Sequence, residues 1–470
     1  MKKLKNKFLT VLLFALLILP CMLIVTACGA EHKAVGEWST SDTKHWHTCV
    51  VEDCEEKFEE ADHTINAETN TCDVCGYKKH EAKSEWMKND TKHWHNCKIA
   101  DCEEKFNEAD HTINSETNIC NVCGYEKHEV ANDTWLSDAD KHWHGCKVEG
   151  CTEKYDEADH SFDAESHICL CGEAEDTMTV KVKTGDAFKA YAKIKDAVEN
   201  AETGSTIYLL KDVTFETSMP DNKYVFIDNK ELTIDFGGFT ATSPVSGFQV
   251  QNGGKLTVLN GKLEAQANGF WLNNGELTVK NGFEVVGNLG KNNDKSAIVA
   301  ITGSTLNFAG KATAQGEYAI GGVGNEGQGN VKINILEGAE VIGENVGIYM
   351  PNNGQLNIIG GTITAKTAVY VKSGTTTITG GTLKATGDKV AYNKTNNGCN
   401  ATGDALIIDV CCDYPGGNPS VNITGGTFIS ENADAVGYYH KNDTSIYKAE
   451  ITNTTEVEVI DHNTEATTAE

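Results

Sequence analysis

Twelve of the seventeen cysteines fall in one stretch of this chain, and they recur with histidines at a period of 48 to 49 residues. The first unit runs Trp38, His45-Trp46-His47-Thr48-Cys49, Cys54, His63 and Cys72-Asp73-Val74-Cys75-Gly76. The second runs Trp86, His93-Trp94-His95-Asn96-Cys97, Cys102, His111 and Cys120-Asn121-Val122-Cys123-Gly124. The third runs Trp135, His142-Trp143-His144-Gly145-Cys146, Cys151, His160 and Cys169-Leu170-Cys171-Gly172. The spacing is C-x4-C-x17-C-x2-C, with the last pair shortened to C-x-C in the third unit. Two cysteine pairs can give four thiolates to one tetrahedral ion, and the glycine suits a tight turn that aims both sulfurs inward.

This spacing predicts one structural zinc per unit, held by Cys49, Cys54, Cys72 and Cys75, by Cys97, Cys102, Cys120 and Cys123, and by Cys146, Cys151, Cys169 and Cys171. His47 and His63, His95 and His111, and His144 and His160 are alternative or outer-sphere ligands. His45 and its equivalents read as hydrogen-bonded scaffold. Units of under fifty residues cannot bury much core, so a staple is expected. Disulfides are the competing reading, and free thiols with another role a third. The repeated histidines favour metal, because disulfides do not need them. Open catalytic zinc motifs such as HEXXH are absent. The repeats resemble HWHxC and CxxCG units in surface proteins of low-GC Gram-positive bacteria, which implies a location more than an activity.

The segment before the repeats reads as a targeting signal. Lys2, Lys3, Lys5 and Lys7 precede an apolar run from Phe8 to Val25, closed by Thr26-Ala27-Cys28-Gly29. It resembles the lipobox of bacterial lipoproteins. That resemblance implies cleavage before Cys28, lipidation of its sulfur, and anchoring on the extracellular face of the cell membrane.

After Glu175 the composition changes to glycine, threonine and asparagine. A helical spacing of apolar residues at 188, 191, 194, 197 and 198 predicts a cap helix over 187–198. A short motif then recurs every 20 to 29 residues, with a double step before the last copy: Leu232-Thr233-Ile234, Leu256-Thr257-Val258, Leu277-Thr278-Val279, Leu306-Asn307-Phe308, Ile333-Asn334-Ile335, Leu356-Asn357-Ile358, Thr376-Thr377-Ile378 and Val421-Asn422-Ile423. Alternation turns the outer residues of each triplet inward and the Thr or Asn outward. The expected fold is therefore mainly β: three small zinc-ribbon-like repeats, then a right-handed parallel β-helix with an N-terminal cap helix. The boundaries are a signal at 1–27, a linker at 28–35, repeats at 36–81, 84–129 and 133–175, the β-helix at 180–450 and a polar tail at 451–470. The second half resembles the pectin-lyase-like superfamily, which contains polysaccharide lyases, hydrolases and many non-enzymatic adhesins.

That resemblance raises cleavage chemistry, and the sequence argues against it. There is no arginine among the 40 basic residues, whereas lyases of that superfamily use a basic residue that is usually arginine. Hydrolysis needs paired carboxylates, and the outward Thr/Asn stripe carries no acid. The turn acids Asp404, Asp409, Asp413 and Asp434 and the cysteines Cys399, Cys411 and Cys412 stay unassigned. A net charge of -28 excludes nucleic acid as a partner. The expectation is a lipid-anchored surface protein, an adhesin or glycan binder whose partner is an extracellular glycan or a host or matrix protein. A polysaccharide-degrading enzyme and a zinc-scavenging lipoprotein are the alternatives.

Overall fold

The computed structural model describes residues 31–216, 224–291, 295–392, 398–410, 414–440, 446 and 448–463. The targeting segment with Cys28, and also Cys411, Cys412 and Asp413, lie outside them. Two compact units emerge: the chain up to Asp133 together with Gly145–Tyr155, and Thr134–His144 together with Asp156 onward.

Each cysteine–histidine repeat is a three-stranded antiparallel sheet. In the first, Ala34–Thr40, Lys44–Cys49 and Lys57–Asp62 lie side by side. The second uses Ala82–Lys88, Lys92–Cys97 and Lys105–Asp110. The third uses Val130–Ser137, Lys141–Cys146 and Lys154–Asp159. The His-Trp-His strand is central in all three. Its pairing shifts between His45 (opposite Ala61) and His47 (opposite Phe58). The outer strand spends an extra residue there, and Glu59 takes φ 56°, the geometry of a bulge. Asn107 and Asp156 adopt φ 55° at the equivalent places.

The second half is a parallel β-solenoid with three sheets, of twelve, nine and ten strands among the described residues. All eight motif copies pair in register on the first sheet: Leu232 lies on Leu256, Leu256 on Leu277, and so on to Thr376 on Val421. The outer residues of each triplet are buried and the middle one is half-exposed. Thr376, the copy without an apolar first residue, points inward all the same and is fully buried. The expected outward ladder is present. Asn334 Nδ2 donates to Asn307 Oδ1 at 2.8 Å, and Asn357 Nδ2 to Asn334 Oδ1 at 2.9 Å. Aromatic residues stack inside as well: Phe248 lies over Phe270 with ring centroids 5.9 Å apart.

The cap differs from the expected helix. Ala187–Tyr191 is a strand, paired antiparallel with Val180–Thr184, and the helix covers only Ile194–Asn200. Thr184 pairs with Ala187 across Gly185-Asp186, and Gly185 has φ 58°. A two-residue turn of that kind closes a hairpin, and it overrides the helical spacing that follows. Val180–Thr184 then covers the open edge of Thr206–Leu209, and the helix buries Ile194, Ala197 and Val198. Lys230 Nζ donates to the carbonyls of Val198, Glu199 and Ala201 at 2.9 to 3.1 Å, which satisfies the helix C-terminus.

Phe270→Ala should cost about 3–5 kcal/mol, because a stacked interior leaves a cavity that neighbouring turns cannot close. Asn334→Ala should cost about 1 kcal/mol, the worth of an ordinary side-chain hydrogen bond. Denaturant unfolding of the two variants checks this order.

Candidate metal centres and a cavity on the solenoid face

His45 and Cys49 sit four residues apart on one extended strand, so their Cα atoms are about 13 Å apart. That separation splits the donors of each repeat into two groups, where the spacing argument placed all four cysteines at one ion. An inner group forms at one end of the strand and an outer group at the other.

The inner group of the first unit joins His45, His63, Cys72 and Cys75, with all four donor atoms within 4.8 Å of one another. His45 Nδ1 is 3.4 Å from His63 Nδ1, Cys75 Sγ is 3.3 Å from His63 Nδ1, and Cys72 Sγ is 4.0 Å from His45 Nδ1. A tetrahedral zinc, with Zn–S about 2.3 Å and Zn–N about 2.0 Å, spaces its ligand atoms about 3.3–3.8 Å apart. The arrangement recurs as His93, His111, Cys120 and Cys123, and as His142, His160, Cys169 and Cys171. The shortened C-x-C of the third unit still assembles: Cys171 Sγ lies 3.4 Å from His160 Nδ1 and Cys169 Sγ 3.5 Å from His142 Nδ1. His167 stays out of this group and pairs with Glu175 at 2.9 Å.

The tautomers are set from outside the group. His63 Nε2 lies 2.9 Å from the Ser41 carbonyl, which can only accept, so Nε2 carries the proton. Nδ1 then presents its lone pair to the centre of the group. His111 does the same against Asn89 O at 2.8 Å and His160 against Asp138 O at 3.0 Å. Tyr77 stacks on the His63 ring at 4.1 Å and fixes its plane. Each glycine after the last cysteine has positive φ, 71° at Gly76, and lets the chain turn with both sulfurs on one side.

The sulfurs are tuned unequally. Burial pushes the Cys72 thiol up, but the N–H groups of Cys75 and Val74 and the His63 ring outweigh it and hold the group at about 6. The same balance holds Cys120 at about 6 and Cys169 at about 7. Cys75, Cys123 and Cys171 shift upward, through burial first and then the neighbouring thiol.

His45, His93 and His142, expected as scaffold, are thus donors of the inner groups. His47, His95 and His144, expected as alternates, are not. His47 Nδ1 faces the Glu37 carbonyl at 3.0 Å, and its ring stacks on Trp38 at 3.8 Å. His95 and His144 repeat that contact with Glu85 and Thr134. Their role is to hold the first strand.

The outer group contains Cys49 and Cys54, and equivalently Cys97 and Cys102, and Cys146 and Cys151. Each pair meets a histidine that the cysteine spacing did not point to: His32, His80 and His128. Their signal in the sequence is a 48-residue period, with Lys79-His80-Glu81 and Lys127-His128-Glu129 each following a Cys-Gly-Tyr turn at the same distance.

A different site lies on the outside of the solenoid's third sheet. Its strands Ile298–Ile301, Tyr318–Gly321, Val346–Met350, Thr367–Val371 and Leu406–Asp409 are buried on both faces. Val299, Ile301, Tyr318, Val346, Tyr349, Tyr370, Ile407 and Tyr439 form a second apolar cluster there, separate from the interior. Within it Asp409 accepts from Tyr370 at 2.7 Å and Tyr392 at 2.8 Å, and pairs with Lys372 at 3.4 Å. Lys372 also donates to Tyr414 at 3.3 Å. Asp404 accepts from Thr402, Tyr439 and the Asp434 N–H at 2.6 to 2.9 Å. Both acids are buried and hydrogen-bonded, so they brace the face. Beside them opens a cavity of about 370 Å³ lined by Trp271, Tyr318, Tyr349, Tyr414, Glu317 and Lys295 among others. Glu317 is held by the Cys399 N–H at 3.0 Å and is the one carboxylate among the described residues of that lining.

No protein-family model, curated protein sequence or solved structure matches this chain.

In the reduced, metal-free chain, ultraviolet thiolate absorbance should rise near pH 6 to 7 for Cys72, Cys120 and Cys169. The thiolates of Cys75, Cys123 and Cys171 should appear above the ordinary thiol value of 9.0. Cys72→Ser should remove amplitude from the low step and let the Cys75 thiolate appear at lower pH, because the neighbouring thiol that raises it is gone.

Proposed function

We propose that this chain is an exported lipoprotein, anchored through Cys28, whose repeats carry structural zinc and whose solenoid binds an extracellular glycan. On this reading the solenoid is a pectin-lyase-like β-helix that has kept a binding face and does no cleavage. The three inner groups are the zinc sites: two imidazoles and two thiolates suit that ion, and the two negative sulfurs balance its charge.

The glycan reading rests on the third-sheet cavity. Trp271 and Tyr414 offer partly exposed ring faces beside the largely buried Tyr318 and Tyr349, and Glu317 and Lys295 offer polar ends. Sugar rings are recognised by that combination of ring stacking and fixed hydrogen bonds. A host or matrix protein is the alternative partner, and the chemistry of a small polar cavity favours a saccharide end or branch. Cleavage by paired carboxylates needs two acids, and among the described residues of the lining Glu317 is the one carboxylate. Asp404 and Asp409 are buried and committed to tyrosine hydroxyls.

A glycan-array screen of the mature full-length chain should return a restricted set of saccharides. Trp271→Ala should weaken that binding about tenfold, the cost of one lost stacking contact of about 1.4 kcal/mol. Absence of any glycan signal, or a signal indifferent to Trp271, overturns the reading. Release of reducing or unsaturated ends from a bound polysaccharide would replace it with an enzymatic one. For the anchor, Cys28→Ser should abolish incorporation of labelled fatty acid and release the protein from the cell.

A further inference from the structure

The outer groups are built alike in three places. His32 Nδ1 lies 3.1 Å from Cys54 Sγ and 3.4 Å from Cys49 Sγ. His80 Nδ1 lies 3.2 Å from Cys102 Sγ and 3.6 Å from Cys97 Sγ. His128 Nδ1 lies 3.1 Å from Cys151 Sγ and 3.4 Å from Cys146 Sγ. A carboxylate two residues after the second cysteine stands by the same nitrogen, Glu56 at 3.3 Å, Glu104 at 2.7 Å and Glu153 at 3.7 Å, and in the third unit all four donor atoms lie within 4.8 Å of one another.

The backbone sets this convergence. The N–H of Val50, just after Cys49, donates to the Lys33 carbonyl at 2.9 Å. Lys98 donates to Glu81 and Lys147 to Glu129 at 2.8 Å in the other units. The histidine next to that carbonyl is therefore delivered beside the first cysteine. The second cysteine returns through a turn that needs a left-handed residue just before it, supplied by Asp53, Asp101 and Gly150 with φ of 63°, 58° and 77°. Two sulfurs and one nitrogen gathered this closely, with a carboxylate oxygen beside them, are the donor types that a borderline-soft divalent cation takes.

We propose that each repeat holds a second metal site at its outer group, taking a zinc-like divalent cation through one histidine, two cysteines and an exchangeable carboxylate. The contrast with the inner group lies in access. His45 and Cys72 are 3% and 2% exposed. The side chains of His32 and Glu56 are 50% and 57% exposed, and those of His80 and Glu104 are 43% and 51%. A solvent-facing carboxylate is the most easily displaced of the four ligands, so water or an incoming chelator can take its place. The outer ions exchange; the inner ones stay.

The outer ion also closes a junction. Lys79 is bound to the first unit, its N–H donating to Asn70 O at 2.8 Å and its carbonyl accepting from Asn70 Nδ2 at 2.5 Å. The next residue, His80, reaches the cysteines of the second unit. Lys127, bound to Asn118, and His128 repeat this step. No slack residue separates the two attachments, so an ion at His80 or His128 clamps consecutive repeats together.

The inference stands apart from the glycan reading, and it adds ions to those of the inner groups. Native mass spectrometry of the reduced mature chain titrated with Zn²⁺ should reach six ions, three of them lost at least a hundredfold faster to a competing chelator. The triple variant His32→Ala, His80→Ala, His128→Ala should hold three slow ions with an unchanged circular dichroism spectrum. The triple Glu56→Gln, Glu104→Gln, Glu153→Gln should keep six and weaken the fast class about tenfold. Zinc should slow tryptic cleavage after Lys79 and Lys127 at least tenfold in the wild type and not in the histidine variant. Three ions in the wild type, or six in the histidine variant, overturn the proposal and leave the inner sites untouched. So does a disulfide joining Cys49 to Cys54, or either equivalent pair, in protein isolated from the cell surface.

Discussion

In the repeats everything depends on imidazole lone pairs aimed at thiols. His63 is protonated on Nε2 by its contact with the Ser41 carbonyl, so its Nδ1 is an acceptor. Facing it are His45 Nδ1 and the sulfurs of Cys72 and Cys75, all crowded within 4.8 Å. Left to themselves such groups are poor company: buried, electron-rich and short of donors. One cation would satisfy all of them at once. The units have little else to hold them, since the strand Lys57–Asp62 is exposed at every position but Phe58. The Trp38 stack on His47 and the Tyr77 stack on His63 orient the rings, but they do not enclose a core.

The solenoid answers the same stability problem differently. Its turns bury continuous ladders of Leu, Ile, Val and Phe, and each turn shields the edge of the last. Two of the three sheets show the half-buried alternation of a wall with water outside. The middle strands of the third, from Ile298–Ile301 to Leu406–Asp409, are covered on their outer side too, by tyrosines and by Cys399 and Tyr414. Covering that face requires burying polar groups. The Lys372–Asp409 pair is acceptable there only because both members are fully hydrogen-bonded. A braced, doubly covered sheet gives the cavity rigid walls, which is what a preformed binding site needs.

How much of this was legible in the sequence follows from how local each signal is. The first-sheet triplets and the Asn ladder were readable because strand alternation and coil stacking repeat the same side-chain roles at each turn. The cysteine clusters were readable as a period. Their grouping was not, because spacing counts residues and ignores the length of a strand: His45 and Cys49 belong to different ends of Lys44–Cys49. The exchange of roles between His45 and His47 depends on the bulge at Glu59, a residue on another strand. His32, His80 and His128 lie at the seams, upstream of unit starts drawn at 36, 84 and 133, and each acts on the cysteines that follow it. The strand at 187–191 was hidden by a helical apolar period that the Gly185-Asp186 turn overrules.

The grouping also changes what the acidity means. The stretch from 36 to 175 contains 34 acidic residues and 13 lysines, an excess of 21 within a net charge of -28. Four-thiolate sites would have deepened that charge by about two units per zinc. Two histidines and two thiolates around a divalent ion come out neutral, so filling the inner sites leaves the excess as it was. The surrounding carboxylates then form a negative field over the repeats, which concentrates small cations and repels anionic polymers. That field favours loading at the exposed outer groups, where Glu56, Glu104 and Glu153 already stand at the entrance. It does nothing comparable for the solenoid, where the proposed glycan would be held by the shape and ring faces of one cavity. On the proposed reading the two halves of the chain divide the chemistry, charge and soft donors in the repeats, stacking and fixed hydrogen bonds on the third sheet.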